Sequence, residues 1–245
     1  KKKQGGPRGG IKFTESTPSS ILPKTDHFID FSPKEVARQL SLLEFQDYVQ
    51  IHPTECMHQS WTKKDKETLS PHIGKMIRRS NIIPMWVATQ ILVHTDSKQR
   101  LRAKMITLFI KIAKECNKLN NFNAVMEIMA GLSLSPIHRL GKSWELVAKK
   151  HQDTLNSLKE MMNVAGNWGI YRSTLKQRDP PCLPYFGMYL TDLTFIEDGH
   201  PDYLEGTTNC INFIKCRQMA VVIQDIQQYQ QKSYSFRDVP TIQSY

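Results

Sequence analysis

The 245-residue sequence contains no run of eighteen apolar residues, so no segment reads as a membrane-spanning helix, and its N-terminus lacks the apolar centre of a signal peptide. A soluble chain is expected. Its five cysteines, Cys56, Cys116, Cys182, Cys210 and Cys216, form no C-x-x-C pair and have no histidine at ligand spacing. That argues against a zinc module and for free thiols in a reducing compartment. Also missing are the phosphate-cradling G-x-x-x-x-G-K-[ST] loop, a G-x-G-x-x-G turn after a strand, the H-E-x-x-H helix and the G-x-S-x-G nucleophile turn. The eight histidines share no ligand spacing on one helical face, so neither a metal nor a cofactor is anticipated. Alternating β-branched stretches bounded by turn residues are almost absent, which makes the expected fold class all-α.

What is present is enough apolar material, 40% of the chain, to build one sizeable domain. The net charge is +10, and the segment up to Lys24 sets six basic residues, Lys1 to Lys3 among them, against Glu15 alone. Residues 1–27 mix Lys, Gly, Pro and Ser with few large apolar groups and read as a basic flexible linker. The remaining charge is expected to spread along helix faces without forming a stripe. That disfavours nucleic acid and leaves an anionic lipid surface or an acidic protein as partner. The chain opens without methionine and is expected to be a piece of a longer protein.

From Phe28 the pattern becomes helical. Ser32-Pro33-Lys34-Glu35 offers an N-cap and a first-turn proline. Helices are predicted from Pro71 to Val93, with a kink or break near Pro84, from Lys98 to Leu119 and from Asn120 to Leu132. Others are predicted from Ser143 to Met162, Trp168 to Lys176, Pro184 to Asp198 and Ile211 to Gln231. The last two, joined through Gly199-His200-Pro201-Asp202, make an antiparallel hairpin spanning about 184–231. Its second helix is expected to pack through Ile211, Ile214, Ala220, Val222, Ile223 and Ile226. The first ends in Glu197 and Asp198, whose carboxylates call for solvent or a cation.

Four ordered motifs carry a family resemblance. They are Ile110-x-Ile112-Ala113-x-x-Cys116 running into Leu119-Asn120-Asn121-Phe122, Gly131-Leu132-Ser133-x-Ser135-Pro136, Pro180-Pro181-Cys182-Leu183-Pro184, and Tyr189-Leu190-Thr191-Asp192-Leu193-Thr194-Phe195-Ile196-Glu197. Together they resemble the catalytic domain of Ras-family guanine nucleotide exchange factors, of the Son of sevenless and Ras-specific releasing factor type, over residues 28–245. The resemblance implies a single helical bowl with a protruding hairpin that opens the nucleotide site of a Ras-subfamily small GTPase, Ras first and Rap or Ral next. It implies exchange by binding, without covalent chemistry or cofactor.

Carried over to this chain, the hairpin residues are Thr194, Phe195 and Asp198, the last standing where glutamate is commoner. A second pocket, for the GTPase's switch 2 segment, would be lined by Ile77, Met126, Leu132, Trp168 and Tyr185, with Arg78, Asn81 and Ser133 around it. Asn81 and Trp168 depart from the family's usual residues. The alternative is a GTPase-binding or scaffold module of the same fold without exchange. The expected location is cytoplasmic, at the inner face of the plasma membrane, with the basic tail touching anionic lipid.

Overall fold

The computed structural model describes residues 27–93, 99–207 and 209–245. The linker expected at 1–27 lies outside them except for His27. Twelve α-helices are found among the described residues, and no strand. The first five are α1 (Pro33–Tyr48), α2 (Lys66–Leu69), α3 (Pro71–Leu92), α4 (Gln99–Lys118) and α5 (Phe122–Ser133). Then come α6 (Ser135–His138), α7 (Gly141–Trp144), α8 (Lys149–Met161), α9 (Ala165–Lys176), α10 (Phe186–Gly199), α11 (Phe213–Gln230) and α12 (Pro240–Gln243). Pro33 opens α1 as its fixed φ favours, although the Ser32 hydroxyl makes no capping bond. Asn121 does cap α5, accepting from the Ala124 amide at 2.9 Å.

α1, α3, α4 and α5 pack on one another and hold the core. Ile73, Met76, Ile106, Phe109, Ile112, Phe122, Val125 and Ile128 are sealed in it. Their three- and four-residue spacing within each helix is the amphipathic period that predicts these elements. α3 runs as one helix through Pro84, with no break there. Pro84 and Val87 are buried where Gly131 of α5 crosses. A β-carbon on Gly131 would stand 2.7 Å from the Val87 Cβ and 2.9 Å from the Pro84 carbonyl oxygen. Gly131→Ala is therefore expected to cost about 1–3 kcal/mol by overpacking, read as a lower denaturation midpoint with an unchanged m-value.

The helix predicted over Ser143–Met162 is two helices, α7 and α8. The Gln152 side-chain amide donates to the carbonyls of Trp144 and Val147, at 3.2 and 2.8 Å, and replaces the helical donors lost at the break.

A polar hub lies beneath the crossing of α1, α3 and α5. Asp47 accepts from Lys75 Nζ at 2.6 Å and from Arg79 Nε at 2.8 Å. Glu44 and Glu127 are both buried and face each other. Ser80 Oγ and Asn123 Nδ2 donate to Glu127 Oε1 at 2.7 and 2.8 Å, and the two carboxyls hydrogen-bond each other, Glu44 Oε1 and Glu127 Oε2 having no other donor among the described residues. Desolvation, and for Glu44 the charge of Glu127, push both carboxyls above the usual range. The folded state then binds more protons than the unfolded one, so stability declines as pH rises from the ordinary carboxylate range toward the raised values. Glu44→Gln is expected to flatten this slope, its melting temperature gaining on the parent's between pH 5 and pH 8.

Candidate functional site

The base of the C-terminal hairpin is locked into the body. Phe186, Met188, Tyr189 and Leu193 of α10 are buried, and nothing beyond Leu193 on that helix is. Tyr48 fixes both helices at this end, packing its ring on Phe186 at 6.1 Å and donating its hydroxyl to the Ile226 carbonyl at 3.0 Å. At the other end Lys215, near the start of α11, meets Glu197, near the end of α10, at 3.0 Å. The two helices are therefore antiparallel, as predicted.

The packing face of α11 differs from the predicted one. Lys215, Met219, Ile226 and Tyr229 are buried and Val222 and Ile223 half-buried, whereas Ile211, Ile214 and Ala220 are exposed. The face turns because Lys215 is drawn inward by two carboxylates. Its ammonium reaches Glu197 at 3.0 Å and Asp202 at 2.7 Å. Burial alone would lower this amine, but the hydrogen bonds to Asp202 and Glu197 outweigh it and hold it above the usual lysine range.

The tip acids have partners within the chain. His58 Nδ1 stands 3.4 Å from Glu197 Oε1, and Gln59 Nε2 donates to Asp198 Oδ1 at 2.6 Å. Both loop residues adopt left-handed backbone, φ +53° and +51°, which turns their side chains toward the hairpin. Ligand atoms of His58, Glu197 and Asp202 lie within 4.8 Å of one another, a spacing a metal could use. Lys215 already supplies positive charge to the two acids. Thr194 is half-buried and donates its hydroxyl to the Leu190 carbonyl at 2.8 Å. Phe195, by contrast, is 71% exposed.

Beside the hairpin base lies the second group of sequence-predicted residues. Ile77, Met126, Trp168 and Tyr185 are half-buried, each packed on the core with a face left open. The rings of Trp168 and Tyr185 meet at 5.2 Å between centroids. Tyr185 is set by its backbone amide, which donates to the Tyr171 hydroxyl at 2.7 Å, and its ring lies over Gly187, where a β-carbon would overlap it. Leu132 is 2% exposed and belongs to the wall beneath this surface rather than to the surface itself. Arg78, Asn81 and Ser133 are exposed, and Arg78 is paired with Glu67 at 3.0 Å.

Sequence reasoning missed the residue that joins the two groups. Gly166, Asn167 and Trp168 take three consecutive left-handed conformations, φ +61°, +54° and +62°. Backbone of this kind is costly for a tryptophan and persists only when its surroundings hold it. Arg172 does so, its Nε donating to the Asn167 carbonyl at 2.9 Å. The same guanidinium grips both carboxylate oxygens of Asp192 on α10, at 2.7 and 2.8 Å. The Trp168 turn and the hairpin are thus tied through one side chain.

Comparison with known proteins gives the same direction. The RasGEF domain model matches residues 35–217. Over 239 residues, 96% of this chain, the sequence is 44% identical to Ras guanine nucleotide exchange factor Y and 39% identical to factor M, both of Dictyostelium discoideum. It is 38% identical over 235 residues to Ras-specific guanine nucleotide-releasing factor 2 of Danio rerio. The chain spans 15%, 25% and 19% of the lengths of these three relatives.

Proposed function

The chain belongs to the RasGEF domain family, and on that premise we propose that it is an exchange domain that releases GDP from a Ras-subfamily small GTPase, Ras first and Rap or Ral next. The observation that carries this reading is a hairpin rooted in the core at one end and presenting a bare aromatic, Phe195, at the other. An aromatic left in water contributes nothing to folding and gains free energy only when a partner covers it.

Thr194 and Phe195 enter the nucleotide site, where their bulk excludes the metal and its water, and displace one switch segment. Asp198 then faces the phosphate-binding loop and competes with phosphate for backbone donors. Because Gln59 already donates to Asp198, that carboxylate must exchange one partner for another, so its share is small. Steric displacement by Phe195 carries more. Ile77, Met126, Trp168 and Tyr185 form a cup for switch 2, with Leu132 as its floor and Arg78, Asn81 and Ser133 at its rim. Arg78 trades Glu67 for the incoming partner, and both are exposed, so the trade is cheap.

No bond is made or broken. The domain accelerates release by binding the nucleotide-free GTPase more tightly than the loaded one, which by linkage weakens nucleotide in the same proportion. Among the described residues no helix is long and apolar enough to cross a membrane. We place the domain on the cytoplasmic side, brought to the plasma membrane by other means, its basic N-terminal segment against anionic lipid.

Release of a fluorescent GDP analogue from Ras, Rap and Ral members tests this. Acceleration of at least one above its intrinsic rate is expected. A stable complex without acceleration would favour the alternative, a binding module of the same fold, for which the Gln59 to Asp198 bond at the tip is the supporting feature.

A further inference from the structure

α4 turns one face to the core and the other, strongly basic, outward. Arg100, Lys104, Lys111, Lys114 and Lys118 are all exposed. At 100° per residue they fall within a strip about 80° wide that runs for about 27 Å. The expectation that charge outside the tail would be spread without a stripe is therefore corrected. The apolar residues interleaved on the opposite face conceal the stripe in a linear reading.

This stripe borders two concavities that share Lys111. One, of about 630 Å³, lies between α4, α8 and the start of α1. The other, of about 500 Å³, continues toward Arg100 and Lys104. The larger has Pro33, Ile110 and Leu119 among its walls and four lysines, Lys34, Lys111, Lys114 and Lys118, against the single carboxylate Glu115. That carboxylate is already paired with Lys118 at 2.6 Å. Lys149 and Lys150 open α8 next to His151, Lys149 being paired with Asp153 at 3.0 Å. Partial burial and the ammonium groups of Lys111, Lys150 and Lys114 hold His151, on the groove wall, below the ordinary imidazole range.

We propose that this groove docks a multiply phosphorylated inositol lipid presented at an anionic bilayer, and that the folded body supplies the site. Its concavity and converging amines suit a protruding headgroup of several charges better than a flat array of singly charged lipids. His151 is the one ring among the residues lining the two concavities, and no Phe, Tyr or Trp joins it, so successive bases of a single-stranded nucleic acid find no row of aromatic faces to stack on. The basic N-terminal segment has the wrong sign to fill the groove, and it joins the body beside Ile29 and Ser32, which line it.

The test is sedimentation of the full chain with phosphatidylcholine vesicles at about 0.15 M salt. The vesicles contain either a phosphatidylinositol bisphosphate or phosphatidylserine at matched total charge. Expected is binding at least fivefold tighter to the inositol lipid. Lys34→Gln, Lys111→Gln and Lys114→Gln combined should weaken it by about a hundredfold with an unchanged melting curve. Lys111→Gln alone should weaken it by about fivefold, and the corresponding arginine variants should retain it. Neutralising Lys1, Lys2 and Lys3 instead should remove less than half of the binding free energy. Equal binding to the two charge-matched vesicles, an unaffected groove variant, no binding by the parent, or loss confined to the N-terminal variant would each overturn the proposal. GDP release plays no part in the readout, so the outcome stands apart from the exchange reading.

Discussion

Phe195→Ala is expected to slow GDP release by about 30-fold while leaving the melting temperature within about 2 °C of the parent. The two halves of this expectation come from one number. At 71% exposure the ring packs on almost nothing in the free domain, so its removal falls among the near-neutral surface substitutions. In the complex the same ring would be buried, and a central aromatic anchor is worth about 2 kcal/mol or more, which is the stated factor in rate when the interaction exists only in the opened state. The checking measurements are a thermal unfolding curve and single-turnover release of fluorescent GDP at saturating domain. A variant as fast as the parent would remove the hairpin tip from the mechanism. A variant that melts far lower would show that the ring serves the fold.

Arg172→Ala is expected to lower exchange about tenfold and the melting temperature by about 4–8 °C. The Arg172 side chain is 29% exposed, and its Nη2 donates to both carboxylate oxygens of Asp192 while its Nε donates to the Asn167 carbonyl. Deleting it strands a mostly buried carboxylate on α10 and frees the left-handed turn that aims Trp168. Discounted for partial exposure, the loss is about 2 kcal/mol, and a domain of this size loses a few degrees per kcal/mol. Arg172→Lys keeps the charge but cannot span Asp192 and Asn167 with one planar fork, so it should recover stability in part and exchange hardly at all. Full rescue by lysine would mean that charge alone matters and that the tie between cup and hairpin is not used.

The helices of the core were legible because burial imposes a period, and α3, α4 and α5 fall close to where their apolar spacing puts them. The hairpin was legible for the same reason at its base. What hydrophobic periodicity could not reveal is where a charge replaces an apolar group on a packing face. Lys215 turns α11 by pairing with Glu197 and Asp202, and Ile211 and Ile214 are left outside in consequence. Arg172 was hidden differently, since its partner Asp192 lies twenty residues away and its second bond is to backbone. The resemblance puts Leu132 in the lining of the cup, and its burial makes it the layer beneath, next to Gly131, which lies against Val87 and Pro84 of α3. The acids at the tip looked unsatisfied only because His58 and Gln59 sit 139 residues upstream of them.

The affinity of the domain for one GTPase in two states, nucleotide-free and GDP-loaded, tests the central claim most directly. A complex with the nucleotide-free form at least a thousandfold tighter, dissolved by added GDP, is the expected result, because only a difference between the two affinities can drive nucleotide out. Equal affinity for the two forms would contradict it.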